Sequence, residues 1–380
     1  MEKALQKHHE WRGKIELALR APLETKADLS LAYTPGVALP CLEIQKDPGK
    51  SYELTRRWNT VAVITDGTAV LGLGNIGPLA AMPVMEGKAA LFKKFGDVDA
   101  IPLCLGTTDP DEIVNTIALL EGSFGGINLE DIAAPRCFEI ERKLKERLRI
   151  PVFHDDQHGT AIVALAAVTN ALRLTGKVAG EVKVVVNGAG AAGTAIIKLL
   201  IRAGFGNIIP CDRAGAIYRG KTGLTAAHAE LAEITNPQEV TGGLEEAMRG
   251  ADIFIGVSGP DCVTADMIRS MNERAAVFAM ANPVPEIMPD VAKAAGAYIV
   301  GTGRSDFPNQ INNVLAFPGV FRGVLDARAR VICDDVNIAA ANAIANYVRD
   351  DELSPENIMP SALDKDVTGA VAAAVYDVCK

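Results

Sequence analysis

Two adjacent carboxylates, Asp155 and Asp156, follow the apolar run Ile150-Pro151-Val152-Phe153 and precede the long apolar segment Ala161–Leu174. The short run reads as a buried strand and the long one as a helix. Carboxylates at the carboxyl end of a strand stand where open α/β sheets hold their ligands. Their oxygens suit a hard divalent cation, Mg²⁺ or Mn²⁺. Asp is also a common helix cap, so this pair alone divides evenly between capping and metal binding. A second pair, Glu130-Asp131, comes directly after the run Ile127-Asn128-Leu129. If the two strands are neighbours in a parallel sheet, both pairs emerge at one edge. Glu130, Asp131 and Asp156 would then make a three-carboxylate metal site, because acids packed so closely need a cation.

A different chemistry is written after the strand Glu181–Asn187. There Gly188-Ala189-Gly190-Ala191-Ala192-Gly193 leads straight into the helical segment Thr194–Ala203. This is GxGxxG with a strand before it and a helix after it, the context that dinucleotide binding requires. The glycines permit a tight turn and close approach of a pyrophosphate, whose charge meets the helix amino terminus. Asp212 directly follows the next strand, 19 residues beyond Gly193, where an acid holds the ribose hydroxyls of NAD. Arg213 beside it is able to accept the 2′-phosphate of NADP, so NAD is favoured and NADP stays open. Other polar residues are less distinctive. Tyr33 precedes the Pro35-Gly36 turn and Lys88 follows Gly87 in a helical segment. Asn282 sits past a strand end and Asn313 in a polar loop. On chemistry alone such residues more often pack, face solvent or cap turns.

The elements that must position these groups alternate. Strands at Val61–Thr65, Ala100–Leu105, Gly126–Leu129 and Ile150–Phe153 are interleaved with helices over 82–95, 109–121 and 135–148, which implies a parallel sheet. After the Gly188 loop come strands at 207–211, 251–257, 276–280 and 297–300, then closing helices at 338–349 and 365–379. The expected fold is α/β, with an N-terminal α/β domain holding a small parallel sheet over residues 1–155. A Rossmann-like dinucleotide-binding domain with C-terminal helices follows over 156–380. An amphipathic opening helix is expected over 3–20, extended chain over 69–73, and a tight loop at Gly74–Gly77. At 380 residues the chain has room for two cores. A net charge of −9 with no basic concentration argues against nucleic-acid or anionic-membrane partners. The seven cysteines show no CxxC spacing. With a polar amino terminus and no long apolar run, that suggests reduced thiols in a cytoplasmic protein.

These residues also carry a family resemblance. The segments 33–38 (YTPGVA), 65–68 (TDGT), 71–77 (LGLGNIG) and 83–88, with Asn128–Ile132, Phe153–Thr160, the Gly188 loop, Asn282-Pro283 and Asn312-Asn313, together resemble the malic enzymes in their short bacterial and archaeal form. The resemblance runs over essentially the whole length. It implies oxidative decarboxylation of L-malate to pyruvate and CO₂ with NAD(P) and a divalent metal, in a homodimer. By motif position Tyr33 resembles the family's general acid and Lys88 its general base. Glu130, Asp131 and Asp156 resemble its metal ligands, and Asp155 the carboxylate beside them. Asn282 and Asn313 resemble the residues that hold substrate and nicotinamide ribose. One departure stands out: larger members carry an Arg after the Asp-Gly of this loop that grips a malate carboxylate, whereas this chain has Thr68-Ala69. The alternatives are a malolactic enzyme, which releases lactate, a dinucleotide-binding dehydrogenase without a metal, and a non-catalytic nucleotide sensor.

Overall fold

The computed structural model describes residues 2–70 and 72–380. Its first sheet is built from β1 (Thr60–Thr65), β2 (Asp99–Cys104), β3 (Gly126–Leu129) and β4 (Val152–His154), in the order β2-β1-β3-β4. Every pair in it is parallel. The central strands β1 and β3 read as near-continuous buried runs, as strands covered on both faces do. The register pairs Leu129 with His154, so Glu130 and Asp155 are the next residue out on adjacent strands. That adjacency satisfies the condition on which the three-carboxylate reading depended.

The second sheet holds β5 (Lys183–Asn187), β6 (Asn207–Asp212), β7 (Gly215–Ala216), β8 (Ile253–Gly256), β9 (Ala276–Ala279) and β10 (Ile299–Thr302), in the order β10-β9-β8-β5-β6-β7. It is parallel except for the short antiparallel β7. The order reverses direction at β5, which is where a doubly wound sheet opens a crevice for its ligand. The fold is therefore the expected α/β arrangement, a small parallel sheet followed by a Rossmann-like one and C-terminal helices.

Long-range packing ties the C-terminal helices to the first sheet. The helix Phe317–Asp326, which the sequence pattern did not indicate, buries Phe317 and Phe321. Phe92, on the helix Gly77–Gly96, meets those rings at centroid distances of 4.6 and 5.2 Å, and Phe153 of β4 meets Phe321 at 5.8 Å. Tilted and edge-on aromatic pairs of this kind add to the gain from burial. The final helix Lys365–Cys379 lies against Phe317–Asp326 through glycines. A Cβ on Gly319 would meet Val371 at 2.6 Å, and one on Gly323 would meet the Ala372 carbonyl oxygen at 2.6 Å.

Two expectations are corrected. The opening helix ends at Trp11 rather than near residue 20. Arg12 and Gly13 turn left-handed, with φ of 53° and 122°. Leu17 and Leu19 beyond them are 91% and 80% exposed, so no core holds further turns in place. The expected extension over 69–73 is instead a tight turn closed by a bridge between Val70 and Gly74, with Gly72 and Gly74 both at φ 76°. Leu71 lies outside the described residues. Among those residues no helix is long and apolar enough to cross a membrane, and the seven cysteines are free. The glycine contact between the closing helices yields a stability test. Gly323→Ala should cost about 1–3 kcal/mol, the usual penalty for overpacking a core, and lower the thermal midpoint; an unchanged midpoint would show that the helices part freely.

Candidate functional site

The acidic cluster is assembled by the carboxyl ends of β3 and β4. Glu130 leaves β3 buried, its Oε2 accepting from the Asn128 amide at 2.9 Å. Asp131 adopts φ 54°, a conformation Asp tolerates better than most residues. Its amide donates to Asp156 Oδ2 at 2.7 Å. One π-helical turn, Asp155–Gly159, joins β4 to the helix Thr160–Thr175. π-turns recur at functional sites because they re-aim side chains. Neither Asp155 nor Asp156 caps the helix, since no side-chain bond closes either amino terminus. Gly159 makes room for Asp155: a Cβ there would lie 1.9 Å from its Oδ1. Oxygens of Glu130, Asp131 and Asp156 fall within 4.8 Å of one another, the donor set of a hard cation.

Lys88 answers this charge. Its ammonium lies 2.9 Å from Glu130 Oε1 and 2.5 Å from Asp155 Oδ2, and 4.3 Å from the Phe317 ring centroid. Burial opposes the charge on Lys88, but the Asp155 and Glu130 carboxylates override it and hold the ammonium well above the ordinary lysine value. The acids move the other way. Burial pushes Glu130 up to about 7 against the pull of Lys88, and Asp155 likewise to about 7. Burial, then the charge of Asp155, raises Asp156 to about 6. His154 is held at about 4 by burial, so it stays neutral beneath the acids. Four carboxylates around one lysine leave a net negative deficit that a divalent cation fits.

Asn313 reaches the cluster from the second half of the chain and donates to Asp155 Oδ2 at 2.5 Å. Asn312 next to it caps a short 3₁₀ turn instead. A cleft of about 500 Å³ opens over the acids, lined by Asp131, Asp156, Ala191, Ala192, Asn282 and Asn313 among others. Asn282 precedes Pro283 across a cis bond, and Gly303 leaves space for its amide, since a Cβ there would meet Asn282 Nδ2 at 2.7 Å. None of the described lining residues is Arg or Lys. Thr68, at the departure noted above, is occupied internally with Asp66, Arg136 and the Ala133 amide.

The Gly188 loop has the geometry of its motif. Gly188 takes φ 111° and packs on the Val257 carbonyl, and Gly193 has no room for a Cβ, which would sit 1.8 Å from the Gly188 oxygen. Gly190 by contrast faces open space, where a pyrophosphate is able to approach. A second cavity of about 1070 Å³ joins Gly188, Ala189 and Gly190 to Asp212, Arg213 and His228. Ser258 lines both cavities, so one extended ligand can run from Asp212 to the acids. His228 and Lys221 were not foreseen. The His228 ring faces Asp212 at 3.4 Å and the Ala189 carbonyl at 3.1 Å, and Lys221 stands 3.6 Å from Asp212. They lie 16 and 9 residues past Asp212, at a helix start and in a loop respectively, without a motif, so only folding reveals them.

Tyr33 is the exception among the expected residues. It caps the helix Lys26–Ala32 and is 67% exposed, whereas Lys88, Glu130 and Asp155 are buried against one another beside the cleft. Within one chain the structure brings together Lys88, Glu130, Asp131, Asp155, Asp156, Asn282 and Asn313, and leaves Tyr33 outside.

Comparison with known proteins agrees with this layout. The malic enzyme N-terminal domain profile matches residues 12–145, and the malic enzyme NAD-binding domain profile matches 157–380. A bifunctional malic/malolactic enzyme of Bacillus subtilis is 56% identical over 98% of this chain and 92% of its own length. An NADP-dependent malic enzyme of Rhizobium meliloti is 50% identical over 98% of this chain and 51% of its own. The crystal structure of an NAD-dependent malic enzyme from Thermotoga maritima superposes with a TM-score of 0.95 at 51% identity, covering 98% of each chain. With both halves of the chain matched in order and relatives above half identical over nearly its whole length, this chain belongs to the malic enzyme family of NAD(P)-dependent oxidoreductases.

Proposed function

We propose that the protein oxidises L-malate to pyruvate and CO₂, releasing NADH or NADPH, at the cleft between the two sheets. The observation that carries this is the convergence of a three-carboxylate cation site, a buried lysine and the open end of a dinucleotide loop. Glu130, Asp131 and Asp156 would hold Mg²⁺ or Mn²⁺, which would supply Lewis-acid polarisation of the substrate, and NAD(P) would supply the hydride acceptor.

The side chains supply the rest. Lys88 takes the C2 hydroxyl proton, for which it must first be neutral. Asp155, 2.5 Å from the ammonium and not one of the three ligands, is placed to take a proton from it and leave Lys88 neutral. Asn282 and Asn313, which line the cleft, hold substrate and nicotinamide ribose with amide donors. Tyr33 returns a proton to C3 after CO₂ departs. Asp212 favours NAD by bonding the adenosine ribose, while His228, Lys221 and Arg213 around it temper its repulsion of a 2′-phosphate. The free cysteines fit a cytoplasmic setting.

The position of Tyr33 bears on assembly. The chain segments on either side of it expose Leu17, Leu19, Leu31 and Leu39, each at 70% or more, more apolar surface than a monomer usually leaves open. A homodimer that buries this arm would carry Tyr33 into the partner's cleft and complete the site. A second reading, malolactic turnover, is favoured by one relative's printed description as a bifunctional malic/malolactic enzyme. It differs only in whether the reduced cofactor leaves before the keto acid is reduced.

Three outcomes are expected. With L-malate, Mn²⁺ and NAD, pyruvate and NADH should appear in equal amounts; lactate without net NADH would establish the malolactic reading instead. Mn²⁺ at a hundredfold excess over its Kd should stabilise the wild type by about 2.7 kcal/mol, seen as a raised melting temperature. Asp156→Ala should abolish that increment while folding normally, and an undiminished increment would place the cation elsewhere. Finally, Tyr33→Phe and Lys88→Ala should each be inactive alone. Mixed and reassembled in equal amounts, they should recover about a quarter of the wild-type rate, because half the dimers are mixed and each holds one intact site. No recovery would mean that Tyr33 serves the cleft of its own chain.

A further inference from the structure

Glu286 is a fully buried carboxylate that the mechanism above does not use. Its Oε1 accepts from the Ser258 amide at 2.8 Å and the Ser258 hydroxyl at 3.2 Å, and its Oε2 accepts from the Ala281 amide at 3.1 Å. Ser258 belongs to the turn after β8, and Ala281 to the turn after β9 that presents Asn282. The Ser258 hydroxyl in turn accepts from the Asn187 amide group at 2.9 Å, at the last residue of β5 before the glycine loop. One carboxylate therefore bonds two neighbouring strand-end turns directly and reaches the third through Ser258. Gly256 is what admits it: a Cβ there would lie 2.4 Å from the Glu286 carboxyl carbon. No ion pair reaches Glu286 among the described residues, so backbone and hydroxyl donors alone support the charge. Burial raises its pKa and the Ser258 and Ala281 amides oppose the rise. A charge buried without a counterion costs stability, and the fold keeps it where two cleft-lining turns must hold a fixed spacing.

We propose that Glu286 is a positioning residue for the nicotinamide half of the cofactor, setting the turns of Ser258 and Asn282 against the glycine loop. The proposal rests on the dinucleotide reading of the two cavities: with the adenosine ribose at Asp212 and the pyrophosphate over Gly190, the nicotinamide falls between Ser258, Asn282 and the acids. Ser258 lines both cavities and Asn282 only the smaller one. Glu286 thus acts at the far end of the ligand from Asp212. Glutamine at this position would keep one acceptor for Ser258 but turn an N–H group toward the Ala281 N–H, driving the two turns apart.

The test compares a whole cofactor with its adenosine half on the full chain. NADH binding is followed by its fluorescence and ADP-ribose binding by calorimetry. Glu286→Gln should weaken NADH by about tenfold or more, the effect of losing one hydrogen bond to a charged group, and leave ADP-ribose affinity unchanged. Glu286→Asp, which keeps the charge but is too short to span both turns, should show the same selective loss and serves if the glutamine variant does not fold. Equal effects on the two ligands, whether both fall or neither does, would reduce Glu286 to a general structural role and overturn the proposal. Failure of the wild type to bind ADP-ribose would sink the dinucleotide reading itself, and this proposal with it.

Discussion

The molecule depends on holding four carboxylates together at one edge of a four-stranded sheet. Glu130, Asp131, Asp155 and Asp156 repel one another, and removal from water raises the cost of keeping three of them charged. Lys88 offsets part of that cost through two short contacts. Such a buried network is weak evidence of stability for its own sake, because apolar replacements of equal volume are often as stable or more so. The arrangement suits the proposed chemistry, in which a cation and Lys88 would share the same few ångströms.

The surrounding structure answers that constraint. Parallel pairing of β3 with β4 delivers the acids side by side, and the π-turn after β4 splits Asp155 from Asp156. Asp155 turns in toward Lys88 and Asn313 with no exposed side chain, while 34% of the Asp156 side chain stays open. Phe317, brought from far along the chain, walls the lysine on its apolar side. An aromatic face placed there excludes water and also stabilises the cation.

The second sheet must approach this edge closely without filling it. Glycines make that approach possible at the points of contact. A Cβ on Gly72, from the first half of the chain, would strike the Asn282 carbonyl of the second at 2.7 Å. The same logic governs Gly188 and Gly193 within the dinucleotide loop. Close backbone packing around an open cleft gives a reaction its geometry in advance, which is how positioned groups lower a barrier.

Much of this was legible in the chain because it is local. A strand, its acidic pair and the helix after it lie within a few residues, so Asp155, Asp156, Glu130 and Asp131 could be read from their neighbours, as could the Gly188 loop and Asp212. The family resemblance then placed Lys88, Asn282, Asn313 and Tyr33. Folding alone decided what depends on distant segments. It paired β3 with β4, laid Phe317 over Lys88, set His228 and Lys221 around Asp212, and buried Glu286 beneath two turns. It also ended the opening helix at Trp11, where the amphipathic pattern continued but no partner surface was available to bury it. Tyr33 shows the boundary most clearly: its motif marks it for the site, yet the packing of one chain leaves it at the surface. Sequence determines which groups stand at the end of each element, and only the summed long-range contacts determine which of those ends meet.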